Sequence, residues 1–122
     1  MLALMERFRL AYANADRSEL LATVSDDFEW HQHRAAQSNE LPTGRVLRGV
    51  DALLEELEWR RQNWREVRYT DLQERVAGDL LVQTFTIEGS EQGTPFHAQA
   101  VDLYPVQDGR IVRKDTYWKY LA

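Results

Sequence analysis

Apolar residues recur with helical spacing in the first half of the chain and with strand-like alternation in the second. Between Met1 and Ala15, the residues Leu4, Met5, Phe8, Ala11, Tyr12 and Ala15 form one stripe at three- and four-residue intervals, which predicts an amphipathic helix. Asp16 followed by Glu19 is a capping-box-like start for a second, short helix running to about Val24 and stopped by Asp26-Asp27. Phe28 to His33 alternates as a strand, with Phe28, Trp30 and Gln32 on one face and Glu29, His31 and His33 on the other. Arg34 to Arg48 has no period. Its Ser38-Asn39 and Pro42-Thr43-Gly44 predict a long loop of the kind that rims or covers a site.

Gly49 opens a third helix with Asp51 in its first turn and Val50, Leu53, Leu54, Leu57 and Trp64 as its buried stripe. Strands are predicted at Val67 to Ala77, Leu80 to Glu88, Thr94 to Val106 and Arg110 to Trp118, with a tight turn at Gly78-Asp79. Helices first and hairpin-linked strands afterwards describe an α+β domain, three N-terminal helices packed on one face of a curved antiparallel sheet.

The last hairpin, VDLYPVQDGRIVRKDTYWKY, carries the most chemistry. A three-residue turn Gln107-Asp108-Gly109, with Val106 paired to Arg110, sets Asp102 opposite Lys114. The same register puts Ala98, Ala100, Tyr104, Val112, Thr116 and Trp118 on their face. A charged pair among apolar and aromatic neighbours is the composition of a small-molecule cavity. The other face, with Val101, Leu103, Ile111 and Tyr117, is apolar as well, so the sheet must be covered on both sides. A homodimer interface on its outer face is the expected cover.

At 122 residues the chain is expected to be a single domain, 1–122, and four Trp among 43% apolar residues supply ample core material. A net charge of −5 with interleaved basic residues points away from nucleic acid. No apolar run approaches a membrane span, no signal-peptide pattern opens the chain, and cysteine is absent, so the expected location is the cytoplasm, with no disulfide or thiolate chemistry. Glu29, His31 and His33 offer metal-ligand types on one strand face, yet without a motif of known spacing they predict a group that is solvated or hydrogen-bonded to the neighbouring loop rather than a metal site. His97 has the parity opposite to Asp102. The charged run Glu55 to Arg68 reads as the solvated face of the third helix.

Asp26-Asp27 before the first strand, Gly49 with its helix GVDALLEEL, and the terminal VDLYPVQDGRI…TYW resemble the NTF2-like superfamily over nearly the whole chain, in particular its SnoaL-like polyketide cyclase and ketosteroid isomerase branches. The resemblance implies a conical NTF2-like, cystatin-like barrel with an apolar pocket between sheet and helices, and a homodimer. Ketosteroid isomerases of this fold pair a carboxylate base with a tyrosine and a protonated Asp that donates to the enolate. By motif, Asp102 falls on that Asp and Trp118 on a pocket aromatic. Gln32 stands at the base position and Phe8 at the tyrosine position, with Tyr12 one helical turn further on. The last-strand acid of the epoxide-hydrolase branch is missing near Thr116, since Asp115 points to the other face.

Lys114 changes the expected chemistry, because a facing ammonium favours an ionised Asp102. An ionised Asp102 serves as a general base, with Lys114 as its electrostatic partner and Tyr12 or Tyr104 as an auxiliary donor. The expected site thus has Asp102 and Lys114 as the catalytic pair and Phe8, Tyr12, Trp30, Gln32, Ala100, Tyr104, Thr116 and Trp118 around an apolar ligand, with no cofactor and no metal. The expected function is isomerase, cyclase or dehydratase chemistry on an apolar carbonyl compound. The alternative is a non-catalytic ligand-binding or protein-interaction module, in which Asp102 and Lys114 are a structural ion pair.

Overall fold

The computed structural model describes residues 1–34 and 42–121. Three helices, α1 (Leu2–Ala13), α2 (Arg17–Thr23) and α3 (Gly49–Asn63), accompany six strands. These are β1 (Val24–His33), β2 (Arg45–Arg48), β3 (Trp64–Ala77), β4 (Leu80–Glu91), β5 (Thr94–Gln107) and β6 (Arg110–Tyr120). They form one sheet in the order β2-β1-β6-β5-β4-β3. The α+β architecture is therefore the expected one. No helix among the described residues is long and apolar enough to cross a membrane.

Local sequence accounts for most boundaries. The Asp16 carboxylate accepts from the backbone N–H of Glu19 at 3.2 Å and so caps α2. Met5, Phe8 and Ala11 of α1 are buried with Leu20, Phe28, Val50 and Leu53 in the main core, and Leu81, Tyr104 and Ile111 close it from the sheet. Burial of this apolar face, more than helix propensity, holds the short α1 and α2 in place.

Four expectations are corrected. Asp26-Asp27 lies inside β1 rather than before it, and Arg45–Arg48 of the expected loop forms β2, antiparallel to β1. The Ser38-Asn39 part of that loop lies outside the described residues. Trp64 begins β3 instead of ending the stripe of α3. The sheet is not wholly antiparallel, since β1 runs parallel to β6, with Trp30 opposite Lys114 and Gln32 opposite Thr116.

The terminal hairpin is corrected in register. Gln107 pairs with Arg110, leaving a two-residue turn in which Asp108 (φ 52°) and Gly109 (φ 74°) are both left-handed. Two left-handed central residues match the twist of the flanking strands better than the three-residue turn does. An irregularity between Leu103 and Val106 then shifts the ladder, so Asp102 faces Thr116 across the strands and Lys114 reaches it diagonally. The shift also exchanges Ile111 and Val112. Ile111 is buried in the core, and Val112 is not among the residues that line the cavity.

Curvature comes from further bulges. The β3–β4 register slips between Arg65 and Arg68 and again between Thr70 and Gln73, and Glu66 and Asp71 inside those slips each have φ 55°. Such bulges bend a strand and raise its twist, which swings β3 toward the helices. A Cβ on Gly109 meets nothing within 4 Å, so the cost of Gly109→Val is conformational alone. It should lower stability by about 1–3 kcal/mol in urea unfolding and leave the far-ultraviolet spectrum unchanged.

Candidate functional site

The inward faces of β5 and β6 meet in a buried polar cluster. Lys114 Nζ donates to Asp102 Oδ2 at 3.0 Å and to Tyr104 Oη at 2.9 Å, and the Thr116 hydroxyl donates to Asp102 Oδ1. Thr116 Oγ1 in turn accepts from the Trp30 indole at 2.9 Å. Asp102 is 1% exposed and Lys114 5%. Charges so deep are tolerated only when paired and hydrogen-bonded, as both are here. The Lys114 ammonium also lies 4.9, 5.2 and 5.1 Å from the ring centres of Tyr12, Trp30 and Tyr104, an aromatic enclosure that favours a cation. Burial lowers the Lys114 pKa, and attraction to Asp102 offsets part of that shift.

A chain of hydrogen bonds runs outward from this cluster. Tyr104 Oη donates to Gln83 Oε1 (3.2 Å), Gln83 Nε2 donates to Glu74 (2.9 Å), and Glu74 also accepts from Arg9 (3.1 Å). Burial raises the Tyr104 pKa well above the usual phenol value and the Asp102 charge adds to it, so Tyr104 keeps its proton.

Helix α3 supplies a second buried pair, against the expectation of a solvated charge run. Glu56 is 4% exposed and Arg60 8%. Glu56 Oε2 accepts from Arg60 Nε at 3.0 Å and from Gln32 Nε2 at 3.3 Å, and Oε1 accepts from Arg45 at 2.9 Å. The Arg60 guanidinium lies 4.3 Å from the Trp64 ring centre and 4.8 Å from that of Trp30. Its Nη1 donates to Tyr12 Oη at 3.3 Å, while Nη2 is buried without a hydrogen-bond partner. Burial opposes the Glu56 charge, but Arg60 and Arg45 prevail and hold its pKa below the ordinary glutamate value of 4.5. Burial pushes the Tyr12 phenol up to about 12, even with Arg60 pulling the other way. The signal for Arg60 was present in the sequence: it falls at helical spacing between Leu53, Leu57 and Trp64, on the apolar stripe itself.

Between α1, α3 and the sheet lies a cavity of about 780 Å³. Asp102, Lys114, Phe8, Tyr12, Trp30, Tyr104, Thr116 and Trp118 all line it, as do Arg60 and Gln83. Gln32 and Ala100, expected among the lining residues, do not. Gln32 is drawn away into the Glu56–Arg45 network, where its Oε1 accepts from Arg45 at 3.2 Å. Ala100 is buried beneath its strand neighbours Phe85 and Trp118, and Ala98 packs in a cluster with Trp64 and Ile87. The two alanines accommodate large rings and do not themselves border the cavity.

The outward face of β1 carries Glu29, His31 and His33, as expected, and none of them borders the cavity. His97 does not border it either.

A small α+β barrel with a cavity between a curved sheet and its helices is the NTF2-like class of fold. Residues 5–114 match the SnoaL-like domain model, and the chain belongs to that family. An NTF2-like protein from Burkholderia xenovorans superposes with a TM-score of 0.78 at 20% identity, over 97% of this chain and 88% of that one. A protein of ketosteroid isomerase-like fold from Catenulispora acidiphila, in complex with trimethylamine, gives 0.69 at 16% identity, over 95% and 85%. A provisionally named polyketide cyclase from Pseudomonas putida gives 0.67 at 18%, over 95% and 89%. Identities this low carry the fold and nothing finer. No curated protein matches the chain.

Glu56→Gln leaves the Arg60 guanidinium buried and uncompensated, which should cost about 3–5 kcal/mol at neutral pH. Because the folded pKa of Glu56 is depressed, its contribution is complete above 4.5 and is lost as pH falls through the lower folded value. Urea titrations of the two proteins should therefore converge in acid.

Proposed function

We propose that this SnoaL-like protein binds an apolar carbonyl compound and moves a proton on it, as an isomerase, cyclase or dehydratase. The observation carrying this reading is a carboxylate, Asp102, that borders an aromatic cavity while held in place by Lys114 and Thr116. With both oxygens oriented, the Asp102 carboxylate removes a proton alpha to the ligand carbonyl. The enolate oxygen that results is stabilised by the Lys114 ammonium and by a hydrogen bond from Tyr12, which keeps its proton up to about 12. Protonated Asp102 then returns the proton to another carbon, giving an isomer, or to a departing hydroxyl, giving water and an enone. General acid/base chemistry of this kind calls on no cofactor.

The cavity's own cations set the ligand's charge. Lys114 and Arg60 already cover the faces of Tyr12, Trp30, Trp64 and Tyr104. A small amine such as the one held by the Catenulispora protein would meet filled aromatic faces, so a neutral or anionic ligand suits this chain.

A second reading, binding without turnover, is favoured by the two departures from the isomerase pattern. Gln32 is bound up in the Glu56 network, and Phe8 packs edge-on against Tyr104 with ring centres 5.4 Å apart, so neither offers a proton. Apolar ketones and enones that shift the melting temperature should be incubated with protein in D2O and followed by NMR. Exchange of the alpha proton that disappears in Asp102→Asn, with the circular dichroism spectrum kept, supports proton transfer. Binding without exchange in the parent protein decides for the second reading.

We further infer a homodimer through the outer sheet face, on which Val101 (36%) and Tyr117 (42%) stand exposed. Sedimentation should give a dimer for the parent chain and a monomer for Val101→Glu. A parent that sediments as a monomer overturns this.

A further inference from the structure

The parallel pairing of β1 with β6 assembles a group that neither strand contains alone. His31 and His33 alternate along β1, so both leave the sheet on the outward face. Asp115 of β6 is the strand partner of His31 and projects to the same side. One donor atom from each of the three lies within 4.8 Å of the others. Their side chains are between 12 and 16% exposed in the single chain, sheltered enough to be ordered.

We propose that His31, His33 and Asp115 form a binding site for one divalent transition-metal ion, of which Zn²⁺ is the best suited. Two imidazoles and a carboxylate match the hardness of Zn²⁺ and leave a coordination position open. Donors bound to one ion at about 2.1 Å stand roughly 3–4 Å from each other, a spacing within a side-chain rotation of the present one. His33 Nε2 and Asp115 Oδ1 are already 3.1 Å apart.

The surroundings orient these ligands. The Tyr117 hydroxyl donates to Asp115 Oδ2 at 3.2 Å, which leaves Oδ1 turned to His33, and the His33 ring stacks on Tyr117 with centres 4.3 Å apart. Glu29 Oε1 sits 3.0 Å from His31 Nε2, and its other oxygen accepts from Arg48. A carboxylate held against an imidazole fixes the tautomer and raises its basicity toward a metal. Arg113, 3.9 Å from Asp115 Oδ2, and Arg48, paired with Glu29, are charges here that oppose a cation. Trp30, between His31 and Glu29 in sequence, faces the cavity, so the ion would stand on the opposite side of the sheet from Asp102 and Lys114.

Tag-free full-length protein, treated with chelator and dialysed, is titrated with Zn²⁺ by calorimetry and with Co²⁺ by visible absorption. The expected result is one ion per chain. His33→Ala and Asp115→Asn should each weaken binding by at least about tenfold, while His97→Ala leaves it unchanged. Circular dichroism checks folding, and if His33→Ala does not fold, His31→Gln takes its place. Absence of binding overturns the proposal, and so does a Zn²⁺ affinity that survives in either ligand variant. Because the readout is metal alone, it stands apart from any result on cavity ligands.

Discussion

A buried ammonium cannot stand in an apolar interior without an anion in contact, and that requirement organises the centre of this protein. Lys114 meets it with Asp102 on the adjacent strand, and each of the two makes one further hydrogen bond, Lys114 to Tyr104 and Asp102 from Thr116. Each of those partners is itself tied down, Tyr104 by Gln83 and Thr116 by the Trp30 indole. One ion pair thereby fixes side chains on β1, β4, β5 and β6 together. Arg60 and Glu56 repeat the arrangement from the helical side, sharing the Trp30 ring with Lys114. Two cations around one indole repel each other, and Arg60 contributes to lowering the Lys114 pKa. Each carboxylate is thus needed where it is.

The cavity depends on the curvature of the sheet. A flat sheet packed on α1 and α3 would be filled by its own side chains. The β3 bulges at Glu66 and Asp71 and the slip after Leu103 bend the sheet while its ladders continue on either side. Small residues then let large ones in: Ala98 and Ala100 make room for Trp64, Phe85 and Trp118, which wall the space instead of occupying it.

Most of the architecture was legible because helix and strand periods are clean in this chain. The stripes of α1 and α3 and the alternation of β1 follow from apolar spacing, and the Asp16 cap from a carboxylate three residues before its target N–H. The corrected parts depend on partners distant in sequence. The parallel partnership of β1 with β6 leaves no mark on either strand, and β2 is a four-residue edge that exists only against β1. The hairpin register was misjudged because Asp-Gly serves both two- and three-residue turns, and the resulting slip exchanged Ile111 and Val112. Asp102 and Lys114 still met, since a long lysine reaches a diagonal neighbour as readily as a facing one. Arg60 was missed for a different reason. Charge pattern alone assigns arginine to solvent, whereas its position on the apolar stripe of α3 and four residues after Glu56 assigns it to the core.

Alternation along β1 and β6 has one further consequence. Trp30, Lys114 and Thr116 point inward while His31, His33, Asp115 and Tyr117 point outward, so two polar groups stand back to back across a single layer of backbone. His31 and Asp115 are strand partners set between the Trp30–Lys114 and Gln32–Thr116 pairs. Any contact that fixes the spacing of β1 and β6 on the outer face also fixes the spacing of Trp30, Lys114 and Thr116 within. A sheet one residue thick cannot separate the two.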